Sequence, residues 1–186
     1  MVYDYINPYP ISKVYRINYV NELPVSGTMT YEQSNYKSPS STYYVDSLIY
    51  KTEKGLVTEI SYLDRIFYYQ STRKPTGTTL PGVSSTSTFS YANGNLTTVR
   101  APSASFTYTY GTNKGIGAAN RMKFVLIEEQ IPYLYSTNDL LTSNNGNAKT
   151  EYAYKYNTSG YPVSAIVNYT ASDGSKWIGG LDYHYK

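Results

Sequence analysis

Residues 150–166 read Thr-Glu-Tyr-Ala-Tyr-Lys-Tyr-Asn-Thr-Ser-Gly-Tyr-Pro-Val-Ser-Ala-Ile. Tyr152, Tyr154 and Tyr156 recur with period two, and Glu151, Ala153 and Lys155 fill the positions between them. A strand throws successive side chains to opposite faces, so this segment predicts a strand with one aromatic and one polar face. Ser159-Gly160 then supplies a turn, and Val163 to Ile166 a returning strand. The unit is a β-hairpin.

The same unit recurs outward from this stretch. Phe106, Tyr108 and Tyr110 alternate with Thr107 and Thr109, and Leu181, Tyr183 and Tyr185 with Asp182, His184 and Lys186. Leu56, Thr58, Ile60 and Tyr62 alternate with Val57, Glu59 and Ser61. Asn93-Gly94 and Asp173-Gly174 are type I′ signals, because both central residues of that turn need positive φ; Lys54-Gly55 and Ser159-Gly160 are turn signals at the same hairpin spacing. A loose repeat emerges as Tyr50…Gly55…Ile60, Tyr91…Gly94…Val99 and Tyr156…Gly160…Ile166. One hairpin is marginal alone, so the copies must stack into one sheet. The prediction is an all-β antiparallel meander of about ten strands, a curved half-open or closed barrel with at most one short helix. The whole chain, 1–186, reads as a single β domain.

Three segments interrupt the pattern. Residues 1–10 read as an N-terminal arm that Tyr3, Tyr5 and Tyr9 could anchor. Residues 71–87, with Pro75, Gly77, Pro81 and Gly82, read as a surface loop. Residues 112–148 read as an irregular excursion. Within it 116–130 suits a short helix or a buried strand equally, and 136–148 reads as a polar loop.

Composition narrows the function classes. Hydrophobic residues are 40% and charged residues 16% of the 186, with 25 Tyr, 4 Phe and 1 Trp. Tyr carries a large ring and a hydroxyl that needs a partner or water, so the core is expected to be wet at its margins or to open onto a tyrosine face. There is no cysteine, which excludes disulfides, thiolate metal sites and cysteine nucleophiles. The net charge of +3 is scattered, so no nucleic acid partner is expected. No apolar run reaches the length of about 18 that a membrane helix requires. The faces opposite the tyrosines carry Thr, Ser, Glu and Lys, which is wrong for a lipid-facing barrel wall.

Catalytic chemistry has little to work with. The one histidine, His184, falls on the polar face of the last predicted strand and reads as a surface residue. Glu128-Glu129 is an adjacent pair whose side chains point apart. Neither a nucleophile elbow nor a phosphate-binding loop is present. The reading is a non-enzyme with no cofactor and no metal. Asp46-Ser47-Leu48 matches a short acceptor pattern for O-linked glycans.

Asn138-Asp139-Leu140-Leu141-Thr142-Ser143, the Tyr-x-Tyr strand 150–156 and the turn and strand 159–166 resemble the carboxy-terminal half of a family of secreted, lipoprotein-type β-hairpin proteins of gut anaerobic bacteria. The resemblance spans the hairpins from Tyr43 onward. It implies a porin-like, half-barrel fold and a cell-envelope location, periplasmic or on the outer surface, with the lipoprotein signal peptide absent from this chain. Members are sometimes labelled lipid-binding. The expected partner is therefore a lipid or other amphiphile, with a glycan or surface protein as the alternative. The candidate ligand-binding residues are Tyr108, Tyr110, Tyr152, Tyr154, Tyr156, Trp177, Tyr183 and Tyr185.

Overall fold

The computed structural model describes residues 11–33, 42–116 and 136–184. Within them the chain is all-β. Eleven strands run β1 (Ile11–Val20), β2 (Leu23–Gln33), β3 (Thr42–Glu53), β4 (Leu56–Tyr69), β5 (Pro75–Ala92), β6 (Asn95–Ala101), β7 (Ala104–Lys114), β8 (Asn138–Asn144), β9 (Ala148–Tyr156), β10 (Pro162–Ala171) and β11 (Lys176–Asp182). Their order in the sheet is their order in the chain, so the antiparallel meander predicted from the hairpin repeat is the fold. No helix lies among the described residues. The arm at 1–10, most of the helix-or-strand segment 116–130, and Glu128-Glu129 lie outside them.

The chain divides into two compact units, 1–87 and 88–186, where a single domain was expected; β5 contributes to both. In the first unit Met29, Leu48, Tyr50, Val57 and Ile60 are buried. Val57 and Ile60 were placed on opposite faces by strict alternation. A bulge resets the register, because Lys51 pairs Glu59 while Thr52 pairs Val57, and the extra residue brings both side chains to the buried face. A second bulge, between Val45 and Ser47, sets Asp64 and Arg65 opposite Asp46. Arg65 donates from Nε and Nη2 to the two oxygens of Asp46, each at 2.8 Å. Its guanidinium lies 3.8 Å from the Tyr44 ring centre, and Tyr44 stacks on Tyr31. The glycan-acceptor pattern at Asp46-Ser47-Leu48 therefore sits mid-strand, with the residues on both sides of Ser47 buried.

Two expected loops are strands. Residues 71–87 enter β5 at Pro75, the first strand position, where a missing N–H costs nothing. Gly82 has φ +85° and donates its N–H to the Asp64 carboxylate, so an irregular, solvent-exposed strand accommodates Pro81 and its neighbours. In the described parts of the excursion 112–148, β7 continues to Lys114 and β8 occupies much of the predicted polar loop. Polar side chains hid β8; of them Asp139 is buried and Asn138 half-buried, each against a partner described below. The last strand stops at Asp182, short of the predicted alternation, although the Tyr183 N–H still reaches the Val163 carbonyl at 3.0 Å.

The four predicted turns form where they were placed, in two geometries. Lys54-Gly55 and Asn93-Gly94 have positive φ at both positions, as a type I′ turn demands. At Asp173-Gly174, and likewise at Ser159-Gly160, only the glycine does. Gly174 N–H bonds the Ala171 carbonyl and Ala171 N–H bonds Ser175, a three-residue connection with glycine at the left-handed position.

Candidate functional site

The candidate residues all belong to the second unit. Directly opposed residues of an antiparallel pair share a face. Tyr154 opposes Ala165, and Ala165 opposes Leu181; Tyr152 opposes Val167, and Val167 opposes Gly179; Tyr169 opposes Trp177. Tyr108 opposes Ser143, which opposes Thr150, two residues from Tyr152. The register thus gathers Tyr108, Tyr152, Tyr154, Tyr169 and Trp177 onto one face of β7–β11. The other face carries Glu151, Lys155, Asn168 and Thr170, together with two exposed isoleucines, Ile166 and Ile178.

The rings are ordered against one another. Tyr152 and Tyr154 stack with centroids 6.0 Å apart and planes 9° apart. Tyr154 also meets Tyr156 at 5.9 Å and Tyr183 at 6.3 Å. These four are half-buried. The row continues to Trp177 at the last strand of the order, where the indole is 59% exposed beside Tyr169 and Leu181, which are also exposed. A Cβ at Gly179 would collide with the indole's six-membered ring. The glycine is thus a floor on which the tryptophan lies, leaving its other face to solvent.

The predicted residues divide by role. Tyr108 is 5% exposed, a core side chain and not a lining one, packed parallel to Phe106. Its hydroxyl has no hydrogen-bond partner among the described residues. Tyr110 accepts a hydrogen bond from Ser136 Oγ at 2.8 Å. Tyr156 donates to Asp139 Oδ2 at 2.6 Å. Tyr185 lies outside the described residues, and His184 is exposed, as read from its position.

Sequence reasoning missed the polar layer that holds this face. Asn95 and Asn138 bond reciprocally: Asn95 Nδ2 donates to Asn138 Oδ1 at 2.9 Å, and Asn138 N–H donates to Asn95 Oδ1 at 2.8 Å. Leu96 N–H donates to the buried Ser136 Oγ, and Thr137 Oγ1 to the Gly94 carbonyl. Residues 136–138 therefore clamp the turn between β5 and β6. Asp139 follows, 2% exposed, with its carboxyl group set against Gly111, where a Cβ would come within 2.6 Å of Oδ2. The available signal was the Asn-Asp pair leading into Leu140, which read as loop.

Burial governs the protonation of these phenols. Desolvation pushes Tyr91, Tyr108, Tyr110 and Tyr154 well above the ordinary tyrosine value. Tyr156 is pushed up to about 12, first by burial and then by its hydrogen bond to Asp139. All five are neutral hydroxyls at physiological pH, which suits contact with apolar groups and with hydrogen-bonding head groups.

Comparison with known proteins yields one structural likeness. The chain is similar to a porin-like protein from Bacteroides uniformis at 10% identity and a TM-score of 0.34, over 90% of this chain and 74% of that one. No protein-family model matches the sequence, and neither does any curated protein.

Proposed function

We propose that this is a non-catalytic binding protein of the bacterial cell envelope, and that it holds an amphiphile on the aromatic face of β9–β11. The supporting observation is the row of half-buried tyrosines that ends in an exposed Trp177 lying on Gly179. Such a surface offers ring faces for an apolar chain. Covering it stabilises a complex by roughly 25 cal/mol for each Å² removed from water. Phenolic hydroxyls along the same row supply hydrogen bonds for a polar head. The envelope location, and anchoring as a lipoprotein, rest on the family resemblance carried by residues 138–166. The second reading, a glycan- or protein-binding surface, is favoured by the open indole face of Trp177, since flat exposed aromatics also suit sugar rings and protein contacts.

Trp177 is the single tryptophan, so its emission reports on the end of the row. Titration with n-decyl maltoside below its micelle concentration is expected to give a saturable blue shift, while maltose alone gives none. An equal response to maltose selects the glycan reading. No response to either sugar or amphiphile refutes binding at this face.

A further inference from the structure

β11 is the last strand in the sheet order, and its far edge pairs with no strand among the described residues. An unpaired edge offers backbone N–H and C=O groups to any extended chain that comes beside it, and folds usually blunt it with mid-strand charge, proline or a bulge. β1, at the other end of the order, is blunted in this way: Lys13 and Arg16 lie within it, and its register shifts between Asn18 and Tyr19. β11 has none of these devices. Its pairing with β10 runs from Lys176 to Asp182 without a shift, and its two charges stand at its ends. Between them lie Trp177, Ile178 and Leu181, which are 59%, 70% and 41% exposed.

The ladder fixes which backbone groups are free. Antiparallel partners alternate between pairs that exchange hydrogen bonds and pairs that do not. Ala171 N–H bonds the Ser175 carbonyl and Tyr183 N–H the Val163 carbonyl, so Trp177, Gly179 and Leu181 spend their backbone groups on β10. Lys176, Ile178, Gly180 and Asp182 turn theirs to the open edge. The strand, Lys-Trp-Ile-Gly-Gly-Leu-Asp, is complementary to itself when reversed. A two-fold axis at Gly179 sets Ile178 opposite Gly180 and Lys176 opposite Asp182, so the free residues meet one another, as antiparallel hydrogen bonding demands. Opposite charges then face each other at both ends. Trp177 meets Leu181 on the tyrosine face. On the other face Ile178 enters the space above Gly180, where a Cβ would meet nothing within 4 Å, and reaches Ile166, which opposes Gly180 on β10. Ile166 is 53% exposed, so the pairing covers the two isoleucines stranded on that side of the sheet. Moving the axis to Ile178 or Gly180 leaves Lys176 and Asp182 without each other.

We propose that β11 pairs with β11 of a second copy of this chain, antiparallel about Gly179, and carries the sheet and its tyrosine face across two chains. The pairing does not depend on what that face binds. A strand of 7 residues makes a small interface, so the dimer forms in a concentration-dependent equilibrium.

Sedimentation equilibrium of the full chain is expected to show association that reaches two chains and stops, because a two-fold contact closes. Lys176→Asp alone, and Asp182→Lys alone, set like charges opposite one another at both ends and are expected to weaken the dimer about tenfold or more. The two together exchange the charges and are expected to recover the native affinity to within about threefold. Gly180→Pro removes an N–H from the open edge and none from the ladder with β10, and is expected to abolish the dimer. Should the proline variant fail to fold, the exchange of exposed charges still decides. A single-chain mass up to about 0.5 mM overturns the proposal. Growth past two chains, a dimer indifferent to the single charge reversals, or a double exchange that fails to restore it overturns it as well.

Discussion

Replacing Arg65 with Ala is expected to destabilise the first unit by about 3–5 kcal/mol. The variant strips both hydrogen bonds from Asp46, which is fully buried, and leaves its carboxylate without a counter-charge. Arg65 itself keeps 29% of its side chain in solvent, which screens part of its attraction and favours the lower end of that range. The loss also removes the guanidinium from the Tyr44 face. Against a typical total of about 5–15 kcal/mol for a domain, such a change is large and is read directly from urea unfolding. The matched replacement of both partners by apolar residues, Asp46→Leu with Arg65→Met, is expected to restore most of the loss, since no charge then remains buried. A single-variant cost below about 1 kcal/mol contradicts the assignment of this pair as a buried one.

The second large effect is alkaline unfolding. Tyr91, Tyr108, Tyr110, Tyr154 and Tyr156 hold their protons in the fold above the reference value of 10.0, Tyr156 up to about 12 and the others further. In the unfolded chain they release them near 10. Between these values the unfolded state binds fewer protons than the folded state, so stability falls as pH rises; below 10 the contribution is fully present. Five groups acting together make the decline steep. The ultraviolet difference spectrum of phenolate is expected to show one class of tyrosines titrating normally and a second class ionising only as the fold is lost. Smooth ionisation of all 25 tyrosines near pH 10 without unfolding contradicts the burial of this face.

Much of the fold was legible because strand alternation and hairpin turns are local signals. Tyr152, Tyr154 and Tyr156 declared β9, and Asn93-Gly94 and Lys54-Gly55 declared their turns from glycine's tolerance of positive φ. The first hairpin was silent, because Asn21 and Glu22 both take positive φ with no glycine to mark them. Bulges were silent as well: one extra residue near Thr58 transfers Val57 to the face of Ile60, and nothing in the local composition records it. β8 was invisible for a different reason. Asn138 and Asp139 read as loop residues, whereas their side chains hydrogen-bond Asn95 and Tyr156, 43 and 17 residues away in the chain, respectively. Polar residues in a strand are recognised only when such distant partners are known.

The candidate site shows the same division. Period two placed Tyr152, Tyr154 and the polar residues between them on their correct faces, and the inter-strand register brought Trp177 to the same side. Period two could not distinguish Tyr108, which is core, from Tyr154, which reaches solvent, because burial depends on what packs above the sheet.

The most direct test of the central claim is amide chemical-shift mapping with n-decyl maltoside. The aromatic-face account predicts shifts concentrated at Tyr152, Tyr154, Tyr169, Trp177 and Leu181, with Ile166 and Ile178 on the opposite face unmoved. Shifts centred on Ile166 and Ile178 contradict it, and place the binding surface on the other side of the sheet.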